Sequence, residues 1–199
     1  MRNCIVVLNG ANFTGTLNHG VKFAGASYEK LRVDYRDLLN FVVGDRNLLG
    51  AFVVSQNDTS KPKTPEQLQR NKKFLSGLKR FGWNISNIEY NGLECTPEQL
   101  VAPIWETALS PFIDEFKQFV FDVEQTDLVI ITGSATWFDA ATSFYETGLG
   151  VEIAYLQQAT SKAYLSNFPF VDLTEFVVHS HTQLLTNKIP VENHVHATV

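Results

Sequence analysis

The chain has 199 residues, 16 basic and 21 acidic side chains, a formal net charge of −5, and 44% apolar residues. That length is enough for one domain with a buried core, and the composition excludes disordered, collagen-like and disulfide-framework proteins. No apolar run approaches the roughly 18–20 residues of a membrane span, and two lone cysteines without metal-ligand spacing, Cys4 and Cys95, point to a reducing compartment, the cytoplasm.

The opening apolar run, Ile5 to Leu8, is too short for a secretion signal and predicts a buried first strand ending at Asn9-Gly10. Residues 9–26, rich in Gly, Asn and Thr, predict a loop. Tyr28, Leu31, Tyr35, Leu38, Leu39 and Val42 recur at helical spacing, so a helix is expected over about 27–43, closed near Gly44. Leu48–Ser55 reads as a second strand. Thr64-Pro65-Glu66-Gln67 opens the next helix with a capping residue, a first-turn proline and an acid, and that helix runs to about Phe81. Trp83–Tyr90 is a third strand.

Residues 91–110 read as an insertion carrying one short helix, and Pro111–Glu124 as a further helix. Leu128-Val129-Ile130-Ile131 is a fully apolar strand of the kind found at the centre of a parallel sheet. A helix over Ala135–Thr147, a strand over Val151–Leu156, a helical turn over Thr160–Leu165 and a strand over Phe168–Leu173 follow. Residues 174–199 form a polar, histidine-bearing C-terminal extension to a domain at 1–173. Strands alternating with helices imply an α/β fold: three layers, α/β/α, around a mostly parallel central sheet.

The net charge conceals an asymmetry. Residues 61–80 hold seven cations and one acid, a balance of +6, whereas residues 81–199 hold three cations and fifteen acids. A basic helix on an acidic body suits a polyanion, an acidic protein or another copy's acidic surface. Its candidate contacts are Arg70, Lys72, Lys73, Lys79 and Arg80. The plainer reading is a solvated helix face. The three tryptophans, Trp83, Trp105 and Trp137, read as core residues, and the apolar stretch 100–105 as a candidate protein-contact surface or core. His179/His181 and His194/His196 are His-x-His pairs that would share a face if extended and could then ligate Zn²⁺ or Ni²⁺; unliganded histidines in a polar tail are the plainer reading.

In a parallel sheet, ligands bind beyond the carboxyl ends of the strands, where strand order reverses. Two segments belong there: Asn9-Gly10-Ala11-Asn12 and Thr132-Gly133-Ser134-Ala135-Thr136. This pattern resembles the NYN domains, PIN-like metal-dependent ribonucleases whose first strand ends in Asp-Gly-x-Asn and whose central strand ends in Ser-Gly-Asp-Ser-Asp-Phe. The likeness continues through Asp127–Gly133, through Gly148 and Gly150-Val151-Glu152-Ile153, and through Phe170–Leu173, spanning about residues 4–173.

Gly10 and Asn12 match the family pattern, and its catalytic aspartates do not recur. Asn9 stands at the first of those positions, and Ser134 and Thr136 at the pair after the fourth strand. Asp114 or Glu115 matches a further family acid, and Asp139 is the nearest acid able to substitute; a first-turn carboxylate favoured by the helix dipole is its plainer reading. Mg²⁺ or Mn²⁺ needs carboxylate oxygens, which an amide and two hydroxyls do not replace. The resemblance therefore implies a pseudo-nuclease without a metal cofactor, kept as a binding or scaffold module. Its partner is a protein, with nucleic acid as an alternative through 61–80 and a homo-oligomer also open. The competing readings are a Mg²⁺/Mn²⁺ ribonuclease rebuilt on Asp114, Glu115 and Asp139, and a metal-free RNA or single-stranded DNA binder. Gly133, Ser134 and Thr136 offer backbone N–H groups and hydroxyls to an anion; the plainer reading is that Ser134 or Thr136 caps its helix.

Overall fold

The computed structural model describes residues 1–61, 63–90, 112 and 120–186. The expected insertion at 91–110, most of the helix expected over 111–124, the residues Cys95, Trp105, Asp114 and Glu115, and the second histidine pair lie outside the described residues.

Six strands form one sheet: β1 (Asn3–Asn9), β4 (Asn47–Asp58), β5 (Asn84–Tyr90), β6 (Thr126–Ile131), β7 (Gly150–Tyr155) and β8 (Phe170–Asp172). Their order is β5-β4-β1-β6-β7-β8, and all five pairings are parallel. Strand order therefore reverses between β1 and β6. A small antiparallel hairpin, β2 (Val21–Phe23) with β3 (Ala26–Tyr28), stands apart.

The alternation of β1 explains the layers. Cys4, Val6 and Leu8 face one way, where α1 (Gly10–His19), α2 (Tyr35–Val43), α3 (Pro65–Arg80) and α6 (Thr174–Thr186) supply Phe13, Leu17, Leu38, Leu78 and Val177. Ile5 and Val7 face the other way, toward α4 (Phe138–Glu146) and α5 (Lys162–Asn167) with Ala140, Ala141, Phe144 and Tyr164. Strands buried on both faces read as unbroken apolar runs, which is why β1 and β6 are plain in the sequence. The fold is three-layered α/β/α. Among the described residues no helix is long and apolar enough to cross a membrane.

Three expectations need correction. Residues 10–19 are a helix where a loop is expected. Phe13 and Leu17, one turn apart, are both buried, and Asn9 caps the start, so tertiary packing outweighs the poor propensity of Gly, Asn and Thr. The helix expected from 27 begins at Tyr35, because the Asp34 carboxylate accepts the N–H groups of Arg36 and Asp37 and fixes the cap there. Residues 174–186 of the expected polar extension form α6, packed on the core through Val177 and Val178. Asp172 Oδ1 opens it by accepting from the N–H and hydroxyl of Thr174, at 2.9 and 2.6 Å. Ser180 Oγ and His181 Nδ1 accept the N–H groups of Asp34 and Arg32 at 3.0 and 3.1 Å, tying α6 to the segment before α2.

The helix over 65–80 matches its expectation closely. Thr64 and Gln67 form a reciprocal capping box, with Pro65 at the first position. The stretch expected to end a helix at Glu124 finishes as a 3₁₀ turn, Val123–Gln125, opened by Asp122.

At the amino ends of the strands, opposite the crevice, Asp127 pairs with Arg2 at 2.6 Å and with Arg46 at 3.3 Å, and Arg46 also reaches Glu152 at 3.2 Å. Burial favours the neutral Asp127 carboxyl, but hydrogen bonds from Arg2 and Arg46 outweigh it and hold the group below the usual carboxylate range. The folded state thus binds fewer protons there than the unfolded state. This stabilisation is complete above the ordinary carboxylate value and is lost as pH falls through the lowered one. Asp127→Asn is expected to cost about 1–3 kcal/mol at neutral pH and to flatten the acid limb of stability against pH. Urea unfolding from pH 3 to 7 measures both.

Candidate functional site at the strand-order reversal

The site is built by register. Leu8 of β1 pairs with Ile131 of β6, so Asn9 and Thr132 emerge side by side at the carboxyl ends of the two central strands. Asn9 is 2% exposed and Thr132 fully buried. Buried polar groups at such a point must satisfy one another.

They do so in a closed circuit. Asn9 Nδ2 donates to Thr132 Oγ1 at 3.2 Å, and Thr132 Oγ1 donates to Asn12 Oδ1 at 3.4 Å. The N–H of Asn12 returns to Asn9 Oδ1 at 3.2 Å, which is also the cap of α1. The second segment is threaded onto the same atoms. Gly133 N–H donates to Asn12 Oδ1 at 2.9 Å, and Ser134 N–H to Thr132 Oγ1 at 3.3 Å. The Thr132 hydroxyl has thereby spent its one proton and both lone pairs. Asn9, Asn12, Gly133 and Ser134 are brought together as expected from sequence.

Two tyrosines hold this cluster from behind. The Tyr155 hydroxyl lies 2.9 Å from the Asn12 carbonyl and 2.7 Å from Thr16 Oγ1. Burial pushes its phenol up to about 12, with the Thr16 hydrogen bond opposing. The Tyr164 hydroxyl donates to the Ser134 carbonyl at 2.7 Å, and burial raises that phenol too. Ser161 N–H closes on the Gly133 carbonyl at 3.0 Å. Thr132 belongs to the second crevice segment expected from sequence, whereas neither Tyr155 nor Tyr164 stands out there as a site residue. Thr132 carries a local signal, the first hydroxyl after an apolar strand; the tyrosines arrive from β7 and α5 and carry none.

Ser134 and Thr136 differ from the capping expectation. Ser134 occupies the cap position of a short 3₁₀ turn, Ala135–Trp137, but makes no side-chain capping bond. Its hydroxyl pairs with that of Thr136 at 2.8 Å. Asp139 is exposed in the first turn of α4, in keeping with its plainer reading. The described histidine pair lies on α6, where residues two apart point in different directions, so His179 and His181 do not share a face as extended residues would. Among the described residues no group of three or more His, Cys, Asp or Glu side chains is placed to hold a metal ion.

The basic residues lie elsewhere, on α3. Arg70, Lys72, Lys73, Lys79 and Arg80 are all exposed, and none has a carboxylate partner among the described residues. Trp83 and Trp137 are core residues as expected, Trp83 donating its Nε1–H to the Tyr35 carbonyl at 3.1 Å. Cys4 is buried and free, with burial pushing its thiol up to about 12, so it is inert.

No family model matches the sequence, and no curated protein matches it. Among solved structures, a protein of unknown function from Vibrio parahaemolyticus RIMD 2210633, VPA0982, superposes with a TM-score of 0.59 at 11% identity. The match covers 86% of this chain and 93% of that one. Likeness at this identity is a likeness of fold, and it agrees with the three-layer α/β/α architecture.

Proposed function

We propose that this protein is a non-catalytic, metal-independent binding or scaffold module on a PIN-like, NYN-type frame, with α3 as its contact face. The observation that carries the reading is the closed Asn9–Thr132–Asn12 circuit at the strand-order reversal. A metal-dependent nuclease needs carboxylate oxygens free to face a cation there. Asn9 instead spends its oxygen on the α1 cap and its amide on Thr132, and the Ser134 and Thr136 hydroxyls bond each other. The five exposed cations of α3 supply a surface for an acidic partner, with RNA or single-stranded DNA the most direct probe. A cytoplasmic setting, expected from the lone cysteines, accompanies this reading.

The deciding experiment incubates the protein with labelled single-stranded RNA and Mn²⁺, and measures binding without metal in parallel. No cleavage is expected. Binding is expected at low salt, falling steeply as salt rises and lost in the Lys72→Glu/Lys73→Glu double variant. Cleavage abolished by Asp114→Ala or Glu115→Ala overturns the reading in favour of a rebuilt acidic site. Absence of any low-salt complex removes nucleic acid as the partner and leaves an acidic protein.

A further inference from the structure

A cleft of about 130 Å³ opens between the first turn of α1, the end of β4 and α3, lined by Gly10, Thr14, Ser55, Lys63, Asn71 and Phe74. A shallower trough of about 390 Å³ shares Thr14 and Phe74 with it and continues past Leu17, Leu31, Val33 and Tyr35, with Asn18 and Arg32 also lining it. The two form one groove with a polar end and a more apolar end. Among the described residues no carboxylate lines either part.

The polar end is built from groups left unspent. Polar side chains of comparable burial around it are committed: Thr14 to the Gly10 carbonyl at 2.7 Å, Thr16 to Tyr155, and Asn12 to Gly133. The Ser55 hydroxyl, the Asn71 amide and the Lys63 ammonium are all half-buried, and none has a hydrogen-bond or ion-pair partner among the described residues. They come from three separate places, a strand, the segment before α3, and α3 itself, and they meet at one cleft. Polar groups converging without partners among the described residues in a largely apolar groove are the mark of a ligand's orienting contacts.

Their chemistry selects the ligand. One cation with a hydroxyl and an amide recognises an oxyanion. The cleft has room for about four waters, enough for a phosphoryl group. The trough beyond has the space and the walls for a planar body, with the Phe74 ring at the junction, set edge-on to Tyr35 at 5.4 Å between centroids. We propose that this groove binds a small phosphomonoester carrying a planar ring, the phosphate held by Lys63, Asn71 and Ser55 and the ring lying along Phe74 and Tyr35. The site needs no metal and shares no side-chain contact with the Asn9–Thr132 circuit, so either can fail without the other.

Calorimetric titration of the whole protein at low salt, without divalent metal, tests this with four probes: phenyl phosphate, adenosine monophosphate, adenosine and inorganic phosphate. Saturable binding is expected for at least one of the two phosphomonoesters, and whichever binds more tightly tells an aryl from a nucleoside body. Adenosine and inorganic phosphate are each expected to bind about tenfold or more weaker than that ligand. Lys63→Gln is expected to weaken it about tenfold, and Asn71→Ala several-fold. Lys162→Gln, on α5 across the sheet from the groove, is expected to leave it unchanged. Both groove variants alter half-exposed side chains without internal bonds, and a circular dichroism melt confirms that they fold. No saturation by either phosphomonoester at millimolar concentration overturns the proposal. So does equal binding of adenosine, or a loss in Lys162→Gln as large as that in Lys63→Gln, which would mark diffuse attraction to the protein's positive charge.

Discussion

Gly133→Ala is expected to destabilise the protein by about 3 kcal/mol, the upper end of what overpacking usually costs. A β-carbon on Gly133 would approach the Ala159 carbonyl oxygen and the Tyr155 ring closer than 3.0 Å. Neither neighbour can give way. Ala159 is backbone in the turn after β7, which Ser161 N–H ties to Gly133 itself at 3.0 Å. The Tyr155 ring is fully buried and anchored by its hydroxyl to Asn12 and Thr16. The chain at 133 must therefore shift, and its bond to Asn12 Oδ1 goes with it. Urea unfolding measures the loss, and two helical glycines calibrate it. Gly15 in α1 and Gly77 in α3 have nothing within 4 Å of an added β-carbon. Each is expected to gain about 0.5–1 kcal/mol as alanine, from helix propensity alone. Parental stability in Gly133→Ala would refute the close packing of the β6 end against the 157–161 turn.

The same geometry shows why some of this molecule is legible in its sequence and some is not. A strand buried on both faces must be apolar at every position, so Ile5–Leu8 and Leu128–Ile131 announce themselves without any knowledge of their partners. α3 is legible because its determinants are local: Thr64, Pro65 and Gln67 specify its start within four residues. α1 carries the opposite kind of information. Its Gly, Asn and Thr residues favour a loop, and it is helical because Phe13 and Leu17 find a core made by residues far along the chain. α6 is hidden in the same way. Its histidines and threonines suggest a solvated tail, while Val177 and Val178 bury and Ser180 and His181 accept backbone N–H groups from residues 34 and 32.

The candidate site divides along the same line. Asn9, Asn12, Gly133 and Ser134 follow two strands whose adjacency is the simplest reading of a parallel sheet, so their meeting is legible. Tyr155 and Tyr164 serve the cluster from β7 and α5 through contacts that no local pattern encodes. The direction of the hydrogen bonds is also invisible in sequence. That Asn9 both caps a helix and donates across to Thr132 follows only once β1 and β6 are side by side. It is this double duty that separates an asparagine from an aspartate at the position.

Asn9→Asp is accordingly expected to destabilise the protein by about 1–3 kcal/mol at neutral pH, although aspartate is as good a helix cap as asparagine. The new carboxylate still accepts the Asn12 N–H, so α1 keeps its start. What it lacks is the donor that Nδ2 supplies to Thr132 Oγ1. Two acceptors then face each other at a site that is 2% exposed, and the Thr132 hydroxyl can relieve this only by abandoning Asn12. Burial without a cation disfavours the charged carboxyl, so its folded-state pKa rises above the unfolded value. The penalty is present above that raised value and shrinks as pH falls through it, because the protonated acid can donate to Thr132 as the amide does. The difference in unfolding free energy between the variant and the parent should therefore narrow on acidification from pH 7 to 4. A penalty that stayed constant over that range would mean that the carboxylate is solvated and the circuit open. The triple variant Asn9→Asp/Ser134→Asp/Thr136→Asp extends the test to the proposed function. If the frame is the PIN-like one proposed, Mn²⁺ should stabilise it in proportion to RT ln(1 + [Mn²⁺]/Kd) and leave the parent's midpoint in place. Stabilisation of the parent to the same degree would show that an acidic metal site exists without those three positions, and the reading of the crevice as a neutral binding element would fall with it.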